Sequence, residues 1–171
     1  MAVGLVLKGR KVVVVGANAS GVSLTKYLVK KGATVVLADT QSAEKLLPLL
    51  QEKIDTSRFV LECGEFQSTL FDGAQVIVLT SGVSLDPKMF ESAKAAGAQV
   101  VSDVELFALF AEEPLILVGG SKGKTTTVAI ASKVLELSNK KTFNTVSQPL
   151  SEYLNLAKAA DCIVASAGAF Q

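Results

Sequence analysis

Histidine and tryptophan are missing from this 171-residue chain, and cysteine occurs only twice. Without His there is no imidazole for a catalytic triad, a His-ligated metal or a proton shuttle near neutral pH. Cys63 and Cys162 are too far apart for a CxxC pair or a zinc pattern. They read as buried free thiols, which suits a reducing compartment. Excess charge is lacking too: 17 Lys and Arg stand against 16 Asp and Glu. That balance leaves no basic footprint for nucleic acid or an anionic membrane surface. No apolar run approaches the ~18 residues of a membrane span. The short apolar patch near Met1 has its charges after it, the reverse of a secretion signal. A cytoplasmic protein with no nucleic-acid or membrane partner is expected.

What the chain does have is apolar residues, 49% by the broad count, in an alternating strand and helix pattern. Lys11–Gly16 (KVVVVG) is a continuous apolar, β-branched run, as in a strand buried on both faces of a parallel sheet, and Thr34–Asp39 (TVVLAD) reads as a second buried strand. Helical spacing of Val22, Leu24, Leu28 and Val29 predicts a helix over Gly21–Lys31, stopped by Gly32. A second helix is expected over Ser42–Lys53, and strands over Arg58–Cys63 and Gln75–Thr80. Asp86-Pro87 pairs an N-cap with a first-turn proline and opens a helix closed by Gly97. Gln99–Ser102 reads as a strand and Asp103–Phe110 as a helix. Ala111–Pro114 is the candidate linker.

Beyond the linker, Leu115–Val118 reads as a strand and Gly119–Lys124 as a glycine-rich loop. Thr125–Ser138 follows as a helix with Val128, Ala131, Val134 and Leu135 on one face. A strand near Thr142–Val146, a helix near Pro149–Ala159 and a strand at Cys162–Ala165 end the pattern. The fold class is α/β: a Rossmann-like, mostly parallel sheet domain over 1–112, then an incomplete P-loop α/β domain over 113–171. The second stretch is short for independent folding. Its Cys162–Ala165 strand is expected to lack a neighbour, so this half should be the less protected one or self-associate.

Two loops carry the chemistry. Gly16-Ala17-Asn18-Ala19-Ser20-Gly21 resembles the dinucleotide fingerprint GxGxxG, with Asn18 at the second glycine. Asn tolerates left-handed backbone, so the turn survives, but its side chain fills space a pyrophosphate would need. Asp39, at the end of the second strand, is placed to accept from a ribose or a base edge. Three readings stand: a tight turn only, a nicotinamide dinucleotide site, or another nucleotide or phosphate at the helix N-terminus. Further on, Gly119-Gly120-Ser121-Lys122-Gly123-Lys124-Thr125-Thr126-Thr127 follows a strand and opens a helix, the setting of a phosphate loop. Its N–H groups and helix dipole favour an anion. Lys124 would reach terminal phosphates, and the Thr125 hydroxyl would offer Mg²⁺ an oxygen.

Together, GANASG, LADT, LTSGVSLD, AKAAGAQVVSDVELF, GGSKGKTTT and the final AFQ, in this order, resemble the Mur ligase family, nearest its D-glutamate-adding branch. The resemblance implies a UDP-substrate site from Gly16, Asn18, Ser20, Gly21, Asp39, Thr40, Thr80 and Gly82. It implies an ATP site from Gly120, Ser121, Lys122, Gly123, Lys124, Thr125 and Thr126, with Lys124 and Thr125 as catalytic residues and Thr125 as the metal ligand. The implied cofactors are ATP and Mg²⁺. The implied partners are UDP-N-acetylmuramoyl-L-alanine and, in a full-length enzyme only, D-glutamate. In such a reaction ATP phosphorylates a carboxylate and an amine then displaces phosphate. The family's GNIG segment falls on Asn144-Thr145-Val146-Ser147, and its metal-binding Glu on Ser166. Alternatives are a degenerate UDP-sugar or nucleotide-binding module without ligase activity and an NAD-dependent oxidoreductase.

Overall fold

The computed structural model describes residues 6–146, 148–156 and 160–166. Ser147, the tail of the helix expected to Ala159 and the terminal AFQ lie outside them, as does the Met1 patch up to residue 5.

Two parallel sheets organise the chain. The first contains β1 (Lys11–Val15), β2 (Thr34–Asp39), β3 (Val60–Cys63), β4 (Val76–Leu79) and β5 (Gln99–Ser102), in spatial order β3-β2-β1-β4-β5. The valines of β1 are wholly buried because helices cover both faces of the sheet. Val12 and Val14 join Leu24, Leu28, Leu37 and Leu106 on one side; Val13 and Val15 join Phe71, Ile77 and Phe90 on the other. Four α-helices connect this half: α1 (Ala19–Lys30), α2 (Ala43–Gln51), α3 (Glu91–Ala95) and α4 (Asp103–Phe110). Strand order reverses at β1, between β2 and β4. That opens a crevice at the strands' C-terminal ends, the usual ligand position in open α/β sheets.

The second sheet contains β6 (Leu115–Val118), β7 (Thr142–Asn144) and β8 (Cys162–Ser166), in order β6-β8-β7, with α5 (Lys124–Leu137) packed on it. The Cys162–Ala165 strand was expected to be unpaired, and here the structure differs. β8 is central, with Ile163 opposite Leu115 on one side and Phe143 on the other. Local pattern shows that a strand is buried but not which strands flank it, since both partners are distant in sequence. Val134 also departs from expectation: it is 57% exposed. The narrow sheet covers one stripe of α5, burying Val128 and Ser132.

Two expected helices form partly or wholly as 3₁₀ turns. Pro87–Phe90 is 3₁₀ before α3 because Asp86 captures the Lys88 N–H with its carboxylate and the Met89 N–H with its carbonyl. Leu150–Asn155 is entirely 3₁₀. Three residues per turn stack Glu152 above Asn155 and Leu150 above Tyr153. The polar pair grips α1: Ser23 Oγ donates to Glu152 (2.6 Å), and Asn155 Nδ2 donates to the Ser23 carbonyl (3.0 Å). The apolar pair enters a shared core with Phe107 of α4 and Phe143 of β7. Tyr153 meets both phenyl rings, at 6.3 and 5.0 Å between centroids.

Candidate nucleotide sites

The first loop is built around two close approaches. Gly16 sits at φ +104°, and a Cβ there would lie 2.2 Å from Thr80 Oγ1. Without a side chain, the Thr80 hydroxyl closes over the loop, donating to the Val15 carbonyl (2.8 Å) and accepting from Asn18 Nδ2 (3.0 Å). At Gly21 a Cβ would lie 1.8 Å from the Gly16 carbonyl oxygen, so α1 starts directly against the end of β1. Asn18 caps this helix: Oδ1 accepts the Gly21 N–H at 3.0 Å, while Nδ2 also reaches the Ser81 carbonyl. Its backbone is extended (φ −72°), so the expected left-handed geometry does not arise. The positive φ falls on Gly16 instead.

Asp39 joins the neighbouring loops. Its Oδ2 accepts from the Ala17 N–H at 2.7 Å and its Oδ1 from the Gln41 N–H at 2.9 Å. Buried Asp103, at the start of α4, does the same for the loop after β4, accepting from the Ser81 N–H and hydroxyl at 3.5 and 3.3 Å. The spacing of the motifs gives no hint of this second carboxylate. A serine two residues past a strand is an ordinary turn residue until the fold sets Asp103 beneath it.

Within the crevice, Gly16, Asp39, Thr40 and Gly82 line a pocket of about 190 Å³ together with Phe66, Val83 and Leu85. Asn18 and Ser20 line a cleft beside it, of about 380 Å³, that reaches Thr145 and Gln148 of the second half. Gly21 and Thr80 are buried beneath and shape the loop. The expected UDP residues therefore divide into a lining set and a supporting set. Phe66 was missed, and only its place after β3 in the Gly64-Glu65-Phe66 turn hints at it. A half-buried ring beside an acceptor and a hydroxyl makes a wall suited to a flat base.

On the far side of Phe66, Cys63 borders another pocket, of about 390 Å³, with Lys11 and Glu65. Both thiols are free, Cys162 buried and Cys63 half-buried. Burial pushes the Cys63 thiol up, and the Asp39 and Glu62 carboxylates push it further. Little thiolate then exists at neutral pH. Cys63 in the folded chain should react more slowly with iodoacetamide at pH 8 than the same residue in the urea-unfolded chain, read by peptide mass spectrometry. An equal or faster rate would show that the thiol is not held protonated.

At the second loop, Gly123 is the N-cap of α5 at φ +78°, and Lys124 is the first helical residue. Lys124 Nζ donates to the Gly120 carbonyl at 2.6 Å, which curls the ammonium back over the loop. The Thr127 N–H and hydroxyl both bond the Gly123 carbonyl, at 2.9 and 3.0 Å. Ser121, Lys122, Thr125 and Thr126 are exposed. Val118, which leads into the loop, lies opposite Ser166 on β8. The Ser166 N–H donates to Thr145 Oγ1 at 2.9 Å, and the two hydroxyls lie 3.3 Å apart. A magnesium site usually takes one or two carboxylates besides phosphate oxygens and water. Here the loop offers the neutral hydroxyls of Ser121, Thr125 and Thr126, and the strand end beside it offers two hydroxyls engaged with each other. Among the described residues no group of three or more His, Cys, Asp or Glu is placed to hold a metal. Among the described residues, the hydroxyls at the loop and the adjoining strand end do not fit the expected Mg²⁺.

Residues 10–102 match the family described as Mur ligase MurD-like, N-terminal domain. The chain is 32% identical over 167 residues to the UDP-N-acetylmuramoylalanine--D-glutamate ligase of Geotalea uraniireducens, covering 96% of this chain and 37% of that protein. It is likewise 32% identical over 166 residues to the ligase of the same name from Bdellovibrio bacteriovorus, 36% of which is covered. The chain thus spans little more than a third of the length of these relatives. The fold is similar to a UDP-N-acetylmuramate:L-alanyl-gamma-D-glutamyl-meso-diaminopimelate ligase from Neisseria meningitides: TM-score 0.57, 16% identity, 93% of this chain and 52% of that one. A pseudomurein peptide ligase type C from Methanothermus fervidus gives TM-score 0.51 at 20% identity, over 92% of this chain and 33% of that one.

Proposed function

We propose that this chain, which belongs to the Mur ligase family through its MurD-like N-terminal domain, is the nucleotide-binding portion of an ATP-dependent ligase that adds D-glutamate to UDP-N-acetylmuramoyl-L-alanine. Residues 1–112 would take the UDP end of that substrate and residues 113–171 would offer the phosphate loop. The observation that carries the reading is the pocket at the strand-order reversal, where Asp39, Thr40, Gly16 and Gly82 face Phe66. Phe66 supplies a flat apolar wall for a uracil ring. Asp39 keeps unused lone pairs for a base or ribose donor while its two backbone bonds fix its direction. The neighbouring cleft, with Asn18 and Ser20 at one end and Thr145 at the other, leads the rest of the substrate toward the second half.

In the second half, the loop N–H groups and Lys124 would hold phosphate oxygens and stabilise charge as a phosphoryl group moves to the substrate carboxylate. To do so, Lys124 exchanges the Gly120 carbonyl for a phosphate oxygen. D-glutamate enters only in an enzyme of the relatives' full length, and we place the reaction in the cytoplasm. The exposed apolar side chains of β6 and α5, Ile116, Leu117, Ile130 and Val134, are where two copies of the chain would meet. A second reading, a UDP-sugar-binding module without ligase activity, draws on the carboxylate-free phosphate loop.

Calorimetric titration of the chain with UDP-N-acetylmuramoyl-L-alanine, ATP and NAD tests the proposal. The UDP-sugar should bind, NAD should not, and Asp39→Ala should weaken the UDP-sugar about 10- to 150-fold, the worth of a charged hydrogen bond. Tight NAD binding with no UDP-sugar response would overturn it.

A further inference from the structure

We infer that the phosphate loop takes its polyphosphate as the metal-free anion, with Lys122 and Lys124 supplying the positive charge that a held magnesium ion would otherwise bring. The inference rests on the nucleotide reading of that loop and adds the form in which the ligand is recognised.

Charge is the first ground. From Gly119 to Leu135 the loop and helix contain no Asp or Glu, and the first acid, Glu136, is near the far end of α5. At 1.5 Å per residue that is roughly 18 Å from the loop. Lys122 and Lys124 stand at the loop itself, and the N-terminal dipole of a 14-residue helix adds to them. Such a site attracts negative charge in proportion to how much of it the ligand retains. A magnesium ion on the phosphates cancels part of that charge, so the free anion is preferred.

Ligand chemistry is the second ground. Mg²⁺ loses its water reluctantly and is kept by anionic oxygens. The strand end next to the loop offers Ser166, whose hydroxyl and N–H are both turned to Thr145. Those groups are partly buried and satisfied within the protein, and a neutral hydroxyl pair gives a dication no charge to balance. Thr125 is the one hydroxyl in the loop's GKT core, too little to anchor a metal on its own.

The test is calorimetric titration of the 171-residue chain with ATP at matched ionic strength, once in EDTA and once in excess MgCl₂. Binding in EDTA should be as tight as in magnesium, or tighter. A tenfold or greater strengthening by magnesium would overturn the inference and leave the nucleotide reading standing. No ATP binding in either buffer would overturn both. Lys122→Ala should weaken ATP more in EDTA than in magnesium; equal weakening would count against the charge argument. Ser166→Glu puts a carboxylate beside the loop and should make binding magnesium-dependent by tenfold or more, with circular dichroism confirming the fold. If that variant folds and stays indifferent to magnesium, the ligand-chemistry ground is overturned, because a carboxylate at position 166 does not recruit the ion.

Discussion

Replacing Gly21 by Val should cost about 3 kcal/mol of stability, the upper end of the usual overpacking penalty. The first carbon of any side chain would sit 1.8 Å from the Gly16 carbonyl oxygen and 3.0 Å from its carbon. Cβ is fixed by the backbone and its neighbour is backbone, so no rotamer change relieves the contact. Gly16 is itself pinned, its N–H donating to the Ala38 carbonyl at 2.7 Å. The next residue is tied to Asp39, and the Thr80 hydroxyl holds Val15 from behind. Something must shift, and with Val15, Gly16 and Ala17 tied down, the displacement falls on the start of α1. Its movement would also break the Asn18 cap. With a urea m-value of roughly 2 kcal/mol/M, the unfolding midpoint should fall by about 1.5 M. Gly119→Ala is the control: its Cβ meets nothing within 4 Å, and its φ is not positive. That variant should stay within about 0.5 kcal/mol of the parent. A Gly21→Val midpoint as high as the control's would mean that the close approach is not structural.

Lys124→Ala should weaken ATP by about 10- to 150-fold, the range for losing a hydrogen bond to a charged group. The ammonium is already within reach of the loop, bonded to the Gly120 carbonyl. Little ordering is then needed when a phosphate replaces that carbonyl. The same variant should leave UDP-sugar affinity unchanged, because that pocket is lined by residues of the first sheet and its loops. Equal loss of both ligands would point to a folding defect, and unchanged ATP affinity would remove Lys124 from the site.

How much of this was legible in the sequence depends on the range of the interactions involved. The buried valines of β1 announce themselves, because a strand covered on both faces needs an unbroken apolar run. Asp86 was readable as a cap, but not the 3₁₀ turn that its bonds to Lys88 and Met89 impose. The central position of β8 was invisible, since α5, β7 and the Leu150–Asn155 turn lie between it and Leu115, and that turn lies between it and Phe143. At the candidate site, Gly16, Asp39 and the GKT core stand out as motifs. The motif pattern reads Thr80 as a ligand contact, whereas its hydroxyl faces inward to Val15 and Asn18. Phe66 and Asp103 were missed because only tertiary pairing brings them to the crevice.

The grip of Leu150–Asn155 on α1 decides where this chain can be cut. The stretch between Ser102 and Leu115, where one sheet ends and the other begins, invites excision of the first half alone. A cut there would strip Tyr153 from Phe107, a side chain with no exposed surface in the intact chain, and leave Ser23 facing water instead of Glu152 and Asn155. A shortened protein ending near residue 112 would therefore carry a fresh aromatic patch, and would need a solubilising substitution at Phe107 before it could serve as a ligand-screening reagent.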